Sequence, residues 1–366
     1  NAYHRYTVDR HLLECTAEAA RLAPLVERGD LLVLAALLHD LDKGSGPTQA
    51  GVGEDLAREI TSRMGFPADD AATVAALVGH HLLLGEVALR RDLDDPTTIE
   101  RVAATVGSAS QLRLLAALTE ADSLATGPSA WGPSKAELVH QLVDRVAGFL
   151  GDGETGGPTY APFPSPDQVD RLSEGTDHID VVDNVLTVMT SDRPGLLSRV
   201  AGVLALHGLD VEGAASHTND EGRSLAEFRV GDRGRAELAW SRVVSDLRAA
   251  LEGRLAIDAR LAERARAYRR NGRPKIAFGA TMVSFDDDAS SDATVIDVQT
   301  DDGIGVLYRI TRALAEFDLD IRSARVQTLG THVVDAFYAR DARGAKITDA
   351  RTLGEIERSI VHSLDG

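Results

Sequence analysis

His39-Asp40 closes the apolar run Leu31–Leu38, placing an imidazole beside a carboxylate at the end of a helix that belongs in a protein interior. Further imidazoles and acids stand elsewhere: His11 on an earlier segment, His80-His81 at the end of a second apolar run, and Asp122 within Leu-Thr-Glu-Ala-Asp-Ser. Imidazole nitrogen and carboxylate oxygen together suit a divalent ion, and we expect His11, His39, Asp40 and Asp122 to bind one ion of Mn, Mg, Zn, Fe or Co. Such a set leaves coordination positions open for water or substrate, as hydrolysis of a phosphoryl group requires. Each residue also has a plainer reading: His11 begins a helix, Asp122 caps one or faces water with Glu120 competing for its role, and Lys43 sits in a turn. Of His80 and His81, one packs or orients its neighbour while the other is free to donate a proton or touch phosphate.

The elements that must position these groups are helices. Residues 1–150 carry apolar side chains at three and four spacings, predicting helices over Leu31–Leu38, Val52–Met64, Ala71–Leu84, Thr98–Ala104, Gln111–Ala125 and Ser134–Leu150. Gly44, Gly46 and Pro47 break the pattern just beyond His39-Asp40 and put Lys43 at the mouth of a turn. Asp95 followed by Pro96 reads as a helix entry. A Gly/Pro-rich linker is expected over 151–180.

Beyond it the texture changes. Val185–Thr190 has strand character, Leu196–Leu206 helix periodicity, and Leu209–Val211 and Ser224–Val230 supply further strands, before a long helix from Ala236 to Arg270 with a basic end. The stretch Asp192–Val211 reappears, offset by 110 positions, as Asp302–Ile321, so two similar modules are expected over 181–290 and 291–366. Each reads as a βαββαβ unit with helices on one sheet face and the other face left for the second module. Thr281–Phe285 is expected to finish the first unit; the second has no evident last strand. The fold class is therefore multidomain: an all-α domain followed by two α+β modules.

Composition narrows the function. With 39 basic and 57 acidic residues the formal charge is −18, which disfavours a non-specific nucleic-acid binder. Cys15 is the single cysteine, which excludes an intrachain disulfide and fits a reducing, cytoplasmic setting. The apolar runs read as too short and interrupted for a membrane span, and no leader pattern opens the chain. Asn1 in place of an initiating methionine reads as a fragment or processed product.

The histidine, the His-Asp pair and the later aspartate resemble the HD family of metal-dependent phosphohydrolases, which are all-helical. The surrounding stretches Asn1–His11, His80–Leu83, Asp94–Ile99 and Leu118–Trp131 resemble the uridylyl-removing domain of bifunctional enzymes that act on the PII nitrogen-signalling protein, and the tandem repeat resembles their two ACT domains. The resemblance covers nearly the whole chain. It implies hydrolysis of a phosphodiester joining UMP, or AMP as in some high-GC bacteria, to a PII tyrosine, with Lys43 neutralising charge at the phosphoryl group and His80 or His81 serving the leaving phenolate. It further implies glutamine as the effector, taken by the turn Asp192, Arg193, Pro194, Gly195 and Leu196 and by the less complete second turn at Asp302 and Gly305. Self-association through the ACT domains is a further expectation. The sequence departs from the family where Gln49 occupies the place of a histidine, which argues for one ion over two, and where Asp42 replaces a glycine. The resemblance puts a nucleotidyltransferase domain before this region, and no such pattern occurs in these 366 residues, so attachment activity is not expected of them. An HD phosphohydrolase acting on a free nucleotide, or a weakened regulatory protein that senses metabolites through its ACT pair, are the competing functions.

Overall fold

A computed structural model describes residues 7–43, 51–127, 130–151, 163–231, 240–270, 280–329 and 332–365, in two units spanning 1–160 and 161–366. The first unit is helical: α1 (Val8–Leu22), α2 (Gly29–Leu38), α3 (Val52–Arg63), α4 (Ala68–Gly79), α5 (Leu83–Arg90), α6 (Pro96–Val106), α7 (Ala109–Thr126) and α8 (Pro133–Phe149). The apolar α2 has no polar face; Leu31, Leu32, Leu34, Ala35, Ala36 and Leu38 are buried while Leu37 is exposed, and α1, α4 and α7 pack around it. The α6 entry follows its sequence signal: the Asp95 carboxylate accepts the Thr97 amide at 2.9 Å and Pro96 takes the first helical position.

The helix expected over Ala71–Leu84 is two helices. It breaks at His80–Leu82, where the chain turns before α5. The stretch 68–90 reaches the length and hydropathy of a membrane span, contrary to the expectation that no run does, but that break interrupts it, and Val74, Leu77, Val78, Leu84 and Ala88 belong to the helical core.

The second unit begins with α9 (Pro166–Ser173), capped by reciprocal Ser165 and Gln168 hydrogen bonds and docked through Leu172 onto Met189 and Leu225. The expected linker over 151–180 is therefore shorter, since its later part is structured; residues 152–162 lie outside the described residues. Then follow β1 (His178–Val182), β2 (Val185–Ser191), α10 (Leu196–His207), β3 (Val211–Thr218), β4 (Arg223–Val230), α11 (Trp240–Leu251), α12 (Ile257–Arg270), β5 (Met282–Asp286), β6 (Thr294–Asp301), α13 (Val306–Ala315), β7 (Asp320–Leu329), β8 (His332–Arg340) and α14 (Ala350–Asp365).

All eight strands form one antiparallel sheet in the order β1-β2-β4-β3-β7-β8-β6-β5. Two expectations are corrected here. The modules join edge to edge through β3 and β7, with Ala214 opposite Ala324, and not face to face. The edge strand of each module precedes its first core strand: Met282–Asp286 pairs with β6, so it opens the second module instead of finishing the first, and this supplies the edge that seemed missing. Hairpin geometry explains the choice, because a short connection delivers an antiparallel neighbour with little loop entropy. The long helix expected from Ala236 to Arg270 is broken between α11 and α12 around Gly253, and residues 232–239 lie outside the described residues.

Gly202 marks the tightest packing in this unit. A Cβ there would lie 2.6 Å from Ile257 Cγ2 on α12 and 2.8 Å from Tyr308 Cδ2 on α13. Gly202→Ala is expected to destabilise the second unit by about 1–3 kcal/mol through overpacking. Chemical denaturation checks this, and an unchanged midpoint would contradict so close an approach of the three helices.

Candidate metal centre and ligand cleft

Burial of His11, His39 and Asp40 follows from local patterning. His11 lies on the inward stripe of α1 with Leu12, Cys15 and Ala19, and His39 caps α2, whose apolar length carries it inward. Asp122 stands one turn beyond Leu118 on α7 and so shares its buried face. Side-chain exposure is 2% for His11, 0% for His39, 2% for Asp40 and 18% for Asp122, so only Asp122 borders solvent to any extent.

The donor atoms converge. His11 Nε2 lies 2.9 Å from Asp122 Oδ1 and 3.3 Å from His39 Nε2. His39 Nε2 is 3.5 Å from Asp122 Oδ1 and 3.6 Å from Asp40 Oδ2, which is 4.0 Å from His11 Nε2. Ligand atoms bonded at ~2.1 Å to one ion stand ~3.0 Å apart at right angles and ~3.4 Å apart at tetrahedral angles. His11, His39 and Asp40 are thus spaced to hold a divalent ion, and Asp122 joins them through the two imidazoles. Tautomer chemistry agrees: His39 Nδ1 is 2.9 Å from the Ala36 carbonyl, which only accepts, so the proton is on Nδ1 and the Nε2 lone pair faces the other donors.

Around these atoms lie two cations. The turn after α2 folds back through Lys43 N–H to Asp40 O and brings Lys43 Nζ to 2.7 Å from Asp40 Oδ1. His81 reaches the same oxygen at 3.4 Å, with its Nδ1–H donated to Val78 O at 2.7 Å. His80, by contrast, makes no described hydrogen bond or ion pair with the cluster, so the break after α4 turns one histidine of the pair inward and leaves the other half-buried at the helix end. Burial alone would raise the Asp40 carboxyl, but His81, His39 and Lys43 close to its oxygens hold it well below the usual carboxylate range. Burial likewise opposes the Asp122 charge, and His11 and His39 reverse the effect and hold that carboxyl down. The burial that would lower His81 is outweighed by Asp40, which raises it. Asp42 leans over the first turn of α3, its Oδ2 3.1 Å from where a Cβ on Gly53 would project. Gln49 lies outside the described residues.

In the second unit Asp192, Arg193, Pro194, Gly195 and Leu196 line a cleft of about 390 Å³ whose other wall comes from the second module, including Thr311, Asp320 and Ile321. Gly195 takes a φ of +77° to turn the chain into α10, and Gly305 repeats this at +75° before α13. Asp192 accepts the Ser224 hydroxyl at 2.6 Å, while Arg193 is drawn aside to the Leu251 carbonyl at 2.6 Å. Burial raises the Asp320 carboxyl, with Arg322 opposing and Asp192 adding to the rise. The sequence reading missed Asp320, although the repeat pairs it with Asp210. The second turn meets different surroundings: a Cβ on Gly305 would lie 3.2 Å from Leu261 of α12, and Asp258 of that helix accepts from Tyr308 at 2.9 Å and from Arg312 at 2.5 Å. Helix α12 thus covers the turn at Gly305.

Residues 8–127 match the HD domain family, residues 184–239 the ACT domain family, and residues 289–365 the N-terminal ACT domain of the ACR family. The chain is thus an HD domain followed by ACT domains. It is homologous along its length to the C-terminal part of bifunctional uridylyltransferase/uridylyl-removing enzymes. It is 39% identical to that enzyme of Streptomyces coelicolor over 95% of the chain and 47% of the relative, and 33% identical to that of Gluconobacter oxydans over 100% and 45%. The Mycobacterium tuberculosis relative is 35% identical over 93% of the chain and 45% of its own length. The chain spans about half the length of these relatives.

Replacing a donor tests the centre. Loss of an outer partner of a metal ligand typically costs 10–100-fold in affinity, so His39→Gln or Asp122→Asn is expected to weaken divalent-metal binding by more than about tenfold. Metal analysis after dialysis checks this, and wild-type stoichiometry in both folded variants would contradict the assignment.

Proposed function

We propose that this chain hydrolyses the phosphodiester linking a nucleotide, UMP or AMP, to a tyrosine of the PII signalling protein, with His11, His39, Asp40 and Asp122 as ligands of one divalent ion. The observation that carries the reading is the meeting of two imidazole nitrogens 3.3 Å apart, each of them 2.9–4.0 Å from an oxygen of Asp40 and of Asp122. The ion, when bound, polarises the phosphoryl group and makes water a better nucleophile. Lys43, exposed and beside Asp40, offers its ammonium to a phosphoryl oxygen as charge builds there. His81, with Nδ1–H engaged by Val78, holds its other nitrogen toward the centre and delivers a proton to the departing phenolate. Water oxygen forms the new bond to phosphorus, the bond from phosphorus to the tyrosine oxygen breaks, and the products are the free phenol and a nucleoside monophosphate. Similarity to uridylyl-removing enzymes supports PII as the partner.

For regulation we propose one glutamine per chain in the cleft between the ACT modules. The α10 N-terminus offers backbone N–H groups to the ligand carboxylate, and Asp192 and Asp320 offer negative charge to its ammonium. Coverage of the Gly305 turn by α12 argues against a second site.

Two experiments test these readings. Uridylylated PII, adenylylated PII and free nucleotides are supplied with and without divalent metal. Metal-dependent release of UMP or AMP from PII is expected; release only from free nucleotides, or from nothing, would overturn the substrate. Calorimetry with glutamine is expected to give one saturable site per chain that Asp320→Asn weakens. No heat, or two sites, would contradict the proposal.

A further inference from the structure

The helical unit holds a second lysine that the cluster does not account for. Lys135, in the first turn of α8, is half-buried and lies across α7, its Nζ 3.0 Å from the hydroxyl of Ser123, the residue after Asp122. On the other side Nζ would be 3.9 Å from a Cβ on Gly85 of α5, and the Trp131 ring centroid is 5.9 Å away. An ammonium has three donors, and a hydroxyl satisfies one. Among the described residues no carboxylate lies within 4 Å of Lys135 Nζ; Asp122 acts on it from farther away, and the ammonium has donors left for another acceptor. Lysines are kept in such places where an anion completes their environment.

Charge counting says which anion. Two carboxylates offset a divalent ion, so the four proposed ligands and their metal present a neutral centre. Lys43 and His81 stand on the Asp40 side of the cluster. A phosphodiester brings one negative charge and gains more as water adds, and a further cation, Lys135, stands on the α7 side, bonded to Ser123, the residue after Asp122. We propose that Lys135 contacts the phosphate of the nucleotide half of the substrate from the Asp122 side, with the Trp131 ring bordering the same subsite. This rests on the phosphodiester-hydrolase reading, but nucleotide binding tests it without turnover. A purely mechanical role in tying α8 to α7 would need the stem and not the charge.

The test uses the full chain carrying Trp240→Phe, so that Trp131 is the single tryptophan reporter. AMP and UMP are titrated by Trp131 fluorescence with divalent metal present, in that background and with Lys135→Met or Lys135→Arg added. Metal content and thermal midpoint are measured alongside. A charge-assisted hydrogen bond corresponds to about 10- to 100-fold in affinity, so Lys135→Met is expected to weaken the nucleotide by that factor at unchanged metal content, with Lys135→Arg recovering most of it. With nucleotidylated PII the same variant should raise KM more than it lowers kcat. Equal nucleotide affinity in Lys135→Met and its parent would overturn the subsite, as would absence of nucleotide binding in a metal-loaded parent. Failure of the hydrolase reading is separate and shows as a parent that binds nucleotide through Lys135 and cleaves no phosphodiester.

Discussion

The arrangement of the helical unit follows from a conflict at the end of α2. An apolar helix carries a histidine and an aspartate into a core from which water is nearly excluded, and a carboxylate there is tolerable only with opposite charge or donors at contact distance. His11 from α1, His81 from the break after α4 and Lys43 from the following turn meet this demand at Asp40, and Asp122 from α7 faces the two imidazoles. Positions of four helices are thus tied to one set of polar contacts. Cys15 lies one turn below His11, where burial first, and then the charges of Asp122 and Asp40, push its thiol up, which keeps it protonated and out of competition as a ligand.

The ACT pair illustrates a different principle, in which repeated sequence meets different surroundings. The two modules share a strand, a glycine turn at positive φ and a helix, and their edge strands β3 and β7 complete one continuous sheet. An amino-acid-sized cleft remains at the first turn, where the end of α10 and the acids Asp192, Asp318, Asp320 and Asp341 line it without filling it. At the second turn Leu261 packs against Gly305, and Ile257 fills the space above Gly202 and Tyr308. The asymmetry comes from α12, a helix that only the first module carries before the next begins.

Much of this was legible in the chain because it is local. The apolar stripe of α1, the uninterrupted α2, the capping signals of α6 and the repeated glycine turns are written in spacing and residue type, and they led to His11, His39, Asp40 and Asp122 as a converging set. What escaped was set by long-range choices. Which of His80 and His81 turns inward depends on where α4 breaks, and both sit in the same apolar context. The strand Met282–Asp286 has the same alternation whether it ends one module or opens the next, and only its pairing with β6 decides. Asp320 and Lys135 carry no motif of their own; each gains its setting from an element distant in sequence, the α10 turn for one and α7 for the other.

The central claim is that two imidazoles and two carboxylates share one cation. X-ray absorption on protein loaded with one equivalent of Zn or Co measures this most directly. The account predicts two imidazole nitrogens in the first shell, with oxygen ligands making up the rest, all at ~2.0–2.2 Å. A shell of oxygen alone, or a spectrum unchanged by His39→Gln, would contradict it.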